Sequence, residues 1–325
     1  GIAYCGSVYG GMMIGQRTLT RLGMTGKPII NVENACSSSS SAFHQAHMAV
    51  ASGAYDVALV FGVDKLSQFG GGTIPLVDED WEISQGMLMP ALYAMRACRY
   101  MHETGLTTEQ LAGVSVKARA MGAHNPDAQF QKEISLEEVM NARPIADPFT
   151  LLHCCPTGDG AAAAVICAGD VAHKFEAAPI KILASDLCTG TYLTGYRDMT
   201  VPEITVRGAS EAYEEAGVGP EDIDVAEIHD AFTIAELLYY EAFGFCGRGE
   251  AIRLLEDGVT SIGGAKPVNP SGGLLSKGHP VGATGIAQIT EITRQLRGSC
   301  GARHVEGART GLAHATGGGA MGMDH

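Results

Sequence analysis

The sequence predicts an α/β protein, on three observations. Short apolar runs that read as buried strands alternate with stretches of helical spacing through both ends of the chain. Two segments, residues 31–53 and 269–298, share one plan of polar or Gly-rich loop, helix rich in small residues and terminal glycine, which points to an internal duplication. The chain has 325 residues, 46% of them hydrophobic and 18% charged, enough for a globular protein with two domains.

The elements follow in order. In NVENACSSSSSAFHQAHMAVASG (31–53), Phe43, Ala46, Ala49 and Val50 fall at helical spacing. Serines start helices better than they fill them, so Cys36 is expected at the mouth of this helix, where free N–H groups favour a thiolate. Gly53 stops the helix and DVALVFGV (56–63) reads as a buried strand. Residues 66 to 150 differ and are expected to form an insertion over the core. FGGGTIPLVDEDW is a loop by its Gly and Pro content, and ALYAMRACRYMHETG is a helix with Leu92, Met95, Cys98 and Met101 on one packing stripe. Thr107 with Gln110, and Ser135 with Glu138, resemble capping boxes.

The core pattern then returns. DGAAAAVICAG (159–169) and IKILASDLC (180–188) read as strands. VAEIHDAFTIAELLYYEAFGF (225–245) begins as a strand, turns near His229 and continues as a helix. The Gly-rich turn of residues 269–285 leads into a helix bearing Ile286, Ile289, Thr293 and Leu296. The chain divides into an N-terminal half, 1–170, and a C-terminal half, 171–325.

A net charge of −14 argues against a general nucleic-acid binder. No apolar run approaches membrane-spanning length. Nine cysteines without a C-x-x-C pair suggest free thiols in a reducing, cytoplasmic setting and exclude a zinc ribbon in this chain. No metal site is expected: His44 and His47 share a helix face, but no third ligand is near in sequence. The chain starts abruptly at Gly1, so N-terminal residues are expected to be missing.

Three loop-to-helix junctions each present one reactive group: Cys36, His229 in HDAF and His279 in GHPVGATG. Cysteine with histidine is a nucleophile–base combination. NACSSSSSAF, EIHDAF, NPSGGLLSKGHPVGATG and HATGGGAMG also occur here in the order expected for the thiolase superfamily. The chain most resembles thiolases of the sterol-carrier-protein type and their bacterial and archaeal relatives, from near residue 1 to 325.

The resemblance implies two similar α/β halves in a five-layered α-β-α-β-α sandwich with an inserted loop domain. It implies an N-terminal strand and helix ahead of Gly1, and a homodimer. In the reaction it implies, Cys36 attacks a 3-oxoacyl-CoA, acetyl-CoA or another short acyl-CoA leaves, and free CoA takes the acyl group from the sulfur. No cofactor is bound permanently, and CoA is a co-substrate. His279 matches the base, and His229 stands where many thiolases have Asn. The N–H groups of Cys36 and Gly317 match an oxyanion hole, with Gly318 and Asn269 also on the substrate-binding side. Lys117, Arg119, His124 and Arg143 are basic groups of the insertion and candidates for the CoA phosphates.

Two departures stand out. The second cysteine of degradative thiolases is replaced by Ala315, and the cysteine of HDCF in sterol-carrier-type thiolases by Ala231. His229, His279, a water or, as an outside candidate, His314 would then move the proton. Two other functions stay open: a retro-aldolase acting on a 3-hydroxyacyl-CoA side chain with a small zinc-ribbon/OB-fold partner subunit, and an acyl-CoA-binding protein without turnover. The presence of Cys36 favours thiolysis.

Overall fold

The computed structural model describes residues 1–76, 81–191 and 198–318. Its first half runs β1 (Ile2–Gly6), α1 (Ile14–Arg21), β2 (Ile29–Val32), α2 (Ser38–Ala51) and β3 (Val57–Lys65). Next come α3 (Trp81–Ser84), α4 (Met89–Thr104), α5 (Thr108–Gly122), α6 (Leu136–Met140), the short strands β4 (Pro144–Ala146) and β5 (Phe149–Thr150), and β6 (Asp159–Cys167). The main sheet has the order β2-β1-β3-β6, with β6 antiparallel to β3 and the other pairs parallel. The second half runs α7 (Glu203–Ala216), β7 (Val225–Glu227), α8 (Thr233–Ala242), α9 (Ala251–Glu256), α10 (Gly273–Lys277), α11 (Thr284–Leu296) and β8 (Gly311–Ala313), with β7 and β8 parallel.

Strand alternation places the layers. In β1, Ala3 and Cys5 pack toward Leu19 of α1, while Ile2 and Tyr4 pack toward Ala42 and Ala46 of α2 and Ile286 of α11. In β7, Val225 meets Ile292 of α11, and Ala226 joins the cluster around Ile234, Leu237 and Leu238 of α8. The order through the molecule is α1, main sheet, α2 with α11, second sheet, α8, which is the five-layered arrangement expected. Thr107–Gln110 and Ser135–Glu138 both form capping boxes. Among the described residues no helix is long and apolar enough to cross a membrane.

The two central helices touch at their N-termini. The Ile286 N–H donates to Ser39 Oγ at 3.0 Å. No side chain fits between them: a Cβ on Gly62 would lie 2.7 Å from Ala283 Cα, and one on Gly285 would lie 2.8 Å from Ser40 Cβ. Behind this contact, buried Asp64 accepts from Ser7 Oγ (2.8 Å) and from the N–H groups of Val8 (3.1 Å), Tyr9 (2.8 Å) and Gly282 (2.7 Å). One carboxylate thus ties β3 to the loop after β1 and to the loop before α11.

Two expectations are corrected. Residues 180–188 alternate in exposure like a strand but pair with none among the described residues. Side chains hold the segment instead: the Ser185 carbonyl lies 2.7 Å from His44 Nδ1, and the Cys188 thiol reaches the Ile204 carbonyl at 3.6 Å. On α4 the packing face is Tyr93, Ala97 and Tyr100 with Leu92 and Ala94, while Met95 and Cys98 point outward. The tyrosines win that face because they bury more area and find partners, Tyr93 stacking on Phe232 and Tyr100 donating to Glu241.

Gly62→Ala is expected to lower stability to urea by about 1–3 kcal/mol, because the added methyl meets backbone rather than a flexible side chain. An unchanged unfolding midpoint would show that the two helix starts separate freely.

Candidate active site

Cys36 lies in the turn that enters α2, with Ser37 as the helix N-cap. The preceding Ala35 has φ +47°, a left-handed conformation that costs a non-glycine residue. The serines hold this turn. Ser38 Oγ accepts from the Asn34 N–H at 3.0 Å and donates to the Ala35 carbonyl at 2.6 Å. Ser37 Oγ donates to the Asn34 carbonyl at 2.7 Å, and Asn34 Nδ2 donates to Ser41 Oγ at 2.9 Å. Ser37 makes no side-chain capping bond to the helix, so clamping the turn is the larger job of the run.

His279 arrives from the other helix start. Its Nε2 is 3.3 Å from Cys36 Sγ, and its Nδ1 is 2.8 Å from Thr284 Oγ1. For Nε2 to accept the thiol proton, Nδ1 must carry the other hydrogen and donate it to Thr284. His229 follows β7 and sets its ring edge-on to His279, with centroids 5.0 Å apart. Both histidines are buried.

The electrostatics keep this trio neutral. Burial, then the carboxylate of Asp64, pushes the Cys36 thiol up to about 12, against the opposing pull of the Cys36 and Gly318 N–H groups. Burial, then Lys277, holds His279 down at about 3. Burial and the nearby His279, His314 and Lys277 hold His229 well below the usual histidine range. The thiolate expected from the helix start alone is corrected: loss of water at the sulfur and the negative neighbours outweigh the dipole. These directions favour a resting pair of thiol and imidazole that passes its proton on attack.

The sequence matches the thiolase N-terminal domain over residues 4–170 and the thiolase C-terminal domain-like family over residues 185–323. The chain belongs to the thiolase family. It is 46% identical over 322 residues to the benzoylsuccinyl-CoA thiolase subunit BbsB of Thauera aromatica, covering 98% of this chain and 84% of that one. It is 44% identical over 324 residues to an acetyl-CoA acetyltransferase of Methanothermobacter thermautotrophicus, covering 97% and 85%. It is 38% identical over 331 residues to sterol carrier protein 2 of Rattus norvegicus, covering 96% of this chain and 60% of that one. Among solved structures, the Ltp2-ChsH2(DUF35) aldolase superposes with a TM-score of 0.80 at 28% identity, over 100% of this chain and 85% of that one. The Acat5 thiolase of Ascaris suum in complex with coenzyme A shares the fold, with a TM-score of 0.67 at 18% identity over 90% and 80% of the two chains. The protein is an acyltransferase of thiolase type.

Other expected residues of this thiolase-family site divide into near and far. Gly317 packs on the turn before Cys36, where a Cβ would strike the Asn34 carbonyl and lie 2.7 Å from Ser37 Oγ. The N–H directed at the sulfur comes from Gly318 rather than Gly317. Asn269 does not face the sulfur. It is fully buried at φ +58°, accepts from the Ile228 N–H at 2.8 Å and donates to Glu236 at 3.1 Å, so it holds the loop that carries His229. His314 lies behind α8, its Nε2 3.2 Å from Thr205 Oγ1 and its ring against Tyr239 and Phe243.

Two of the four basic candidates are spoken for. Lys117 is buried, pairs with Glu236 and donates to Tyr240 Oη at 2.8 Å. Arg119 is buried with its guanidinium 3.8 Å over the Phe130 ring. Arg143 and His124 are exposed. Sequence reasoning missed Asp64, which looks like an ordinary strand-end acid. It also missed Cys155, whose N–H donates to the Ala231 carbonyl at 2.9 Å and whose thiol lies in the field of Cys36. Only the folded chain reveals either neighbourhood.

Two outcomes follow. With a raised thiol, alkylation of Cys36 by iodoacetamide is expected to quicken by roughly tenfold per pH unit through neutrality, as the thiolate fraction grows. A rate that stays flat from about pH 5 to about pH 8 would show a resting thiolate–imidazolium pair instead. Lys117→Ala is expected to cost about 3–5 kcal/mol in urea unfolding, because it strands a buried carboxylate, while Arg143→Ala leaves the midpoint unchanged. A stable Lys117 variant with a raised KM for CoA would restore the phosphate role.

Proposed function

We propose that the protein is a 3-oxoacyl-CoA thiolase that cleaves its substrate with free CoA through an acyl-Cys36 intermediate, in a degradative pathway. The observation that carries this reading is the 3.3 Å approach of His279 Nε2 to Cys36 Sγ. In this reading the half 1–170 supplies the nucleophile and the half 171–325 supplies both histidines.

His279 takes the thiol proton as Cys36 attacks the 3-oxo carbon. The carbon–carbon bond breaks, its electron pair moves to the departing acyl-CoA as an enolate, and His279 returns the proton to that carbon. With alanine at 231 and 315, this return dispenses with a second thiol. His229 stands beside His279 to hold the enolate oxygen. The N–H groups of Cys36 and of the Gly317–Gly318 turn serve the acyl oxygen, each contributing on the order of 3 kcal/mol to the transition state. In the second half-reaction His279 takes the proton of the CoA thiol, the new thioester forms, and Cys36 leaves with that proton.

The names of the relatives support a CoA ester as substrate. One relative is named a subunit, and one structural neighbour is the Ltp2-ChsH2(DUF35) aldolase, which supports a second subunit. The reading also takes the protein as a homodimer in the cytoplasm. The aldolase likeness also favours a second reading, retro-aldol cleavage of a 3-hydroxyacyl-CoA, which has no use for Cys36 as nucleophile.

Intact-mass spectrometry after mixing with a panel of acyl-CoAs separates the two. Thiolase chemistry is expected to give an acyl adduct that is absent in Cys36→Ala and discharged by free CoA. A folded protein that binds acyl-CoA without an adduct would favour the aldolase.

A further inference from the structure

We propose that Cys36, His229 and His279 together form a reversible site for a zinc ion, and that zinc bound there blocks the nucleophile. This departs from the expectation of no metal, which rested on the search for ligands close in sequence. The fold supplies the ligands from three separate loops.

The geometry carries the proposal. One donor atom from each residue lies within 4.8 Å of the other two, and the sulfur and the His279 nitrogen are already 3.3 Å apart. Donor atoms around a tetrahedral zinc, at bond lengths of about 2.0–2.3 Å, stand roughly 3.3–3.6 Å from each other. The widest separation therefore needs to close by only about 1 Å. Three protein ligands leave a fourth position for water.

The surroundings suit the ion. Thr284 Oγ1 fixes the His279 ring from Nδ1, at 2.8 Å, and so presents Nε2, the arrangement that zinc-bound imidazoles use. His229 Nδ1 is buried with no hydrogen-bond partner among the described residues, so no bond there opposes a small rotation of the ring toward the ion.

The binding step balances simply. The Cys36 S–H bond breaks, the sulfur–zinc bond forms and one proton passes to the buffer. The thiolate and the two imidazole nitrogens take three positions of a tetrahedral ion, and the hydrated ion releases all its waters but the one kept in the fourth position. The sulfur lone pair and the His279 base are then both engaged, so neither alkylation nor acylation proceeds.

The test uses cobalt as a spectroscopic stand-in and needs no acyl-CoA, so it stands or fails independently of the thiolase reading. Purified metal-free protein titrated with cobalt(II) chloride is expected to show a thiolate-to-cobalt charge-transfer band that saturates at one equivalent. Cys36→Ala is expected to lose the band, and His229→Ala or His279→Ala to weaken binding roughly tenfold or more. His153→Ala, a buried histidine elsewhere, is the control and is expected to leave it unchanged. Where a variant does not fold, the wild-type protein decides: zinc chloride should protect Cys36 from iodoacetamide and EDTA should restore its reactivity. A band that survives Cys36→Ala, an affinity unmoved by His229→Ala in a folded protein, or alkylation indifferent to zinc would each overturn the proposal.

Discussion

The structure depends on the contact between two helix starts. The turn into α2 carries Cys36 and the loop into α11 carries His279, and the two are pressed together across Gly62, Gly285, Ser39 and Ser40. Because the backbones approach this closely, the sulfur and the imidazole meet without either side chain stretching. Asp64 locks the arrangement from behind by accepting from both halves of the chain. A buried carboxyl group with four donors around it is a rigid joint.

The same joint sets the chemistry. Asp64 is close enough to raise the Cys36 thiol, and burial lowers both histidines. A neutral thiol–imidazole pair is less exposed to stray electrophiles than a permanent thiolate would be. In the proposed reaction it gains its charge only when a substrate carbonyl is in place to accept the sulfur. The site keeps its reactivity in the geometry of a proton path rather than in a standing charge.

Behind His229 lies a second layer of buried charge. Glu236 holds Lys117, Tyr240 and Asn269, and Glu227 holds Lys277 at 3.3 Å and Ser271. Asn269, locked in a left-handed turn, passes this order to the Ile228 N–H, one residue before His229. Buried pairs of this kind contribute little net stability, but breaking one is costly, so they fix a loop in one position. Lys117 and Asn269 thus brace the loop that carries His229.

Periodicity and punctuation made most of the elements legible in the sequence: β3, β6, α8 and α11 and the capping boxes at Thr107 and Ser135 are local features with local causes. The motif order pointed to Cys36, His229 and His279 because each sits at a loop-to-helix junction. The rest was decided by packing at a distance. Which face of α4 turns inward depends on Phe232 and Glu241, far along the chain. Whether residues 180–188 become a strand depends on a neighbour's backbone, and here α2 offered the His44 ring and α7 the Ile204 carbonyl instead. Whether Lys117 is a surface cation or a buried strut depends on Glu236, and the protonation of Cys36 depends on Asp64. The sequence by itself determined which residues are the candidates for chemistry. The tertiary structure decided their charge, their spacing and their partners, because those are set by groups that only folding brings together.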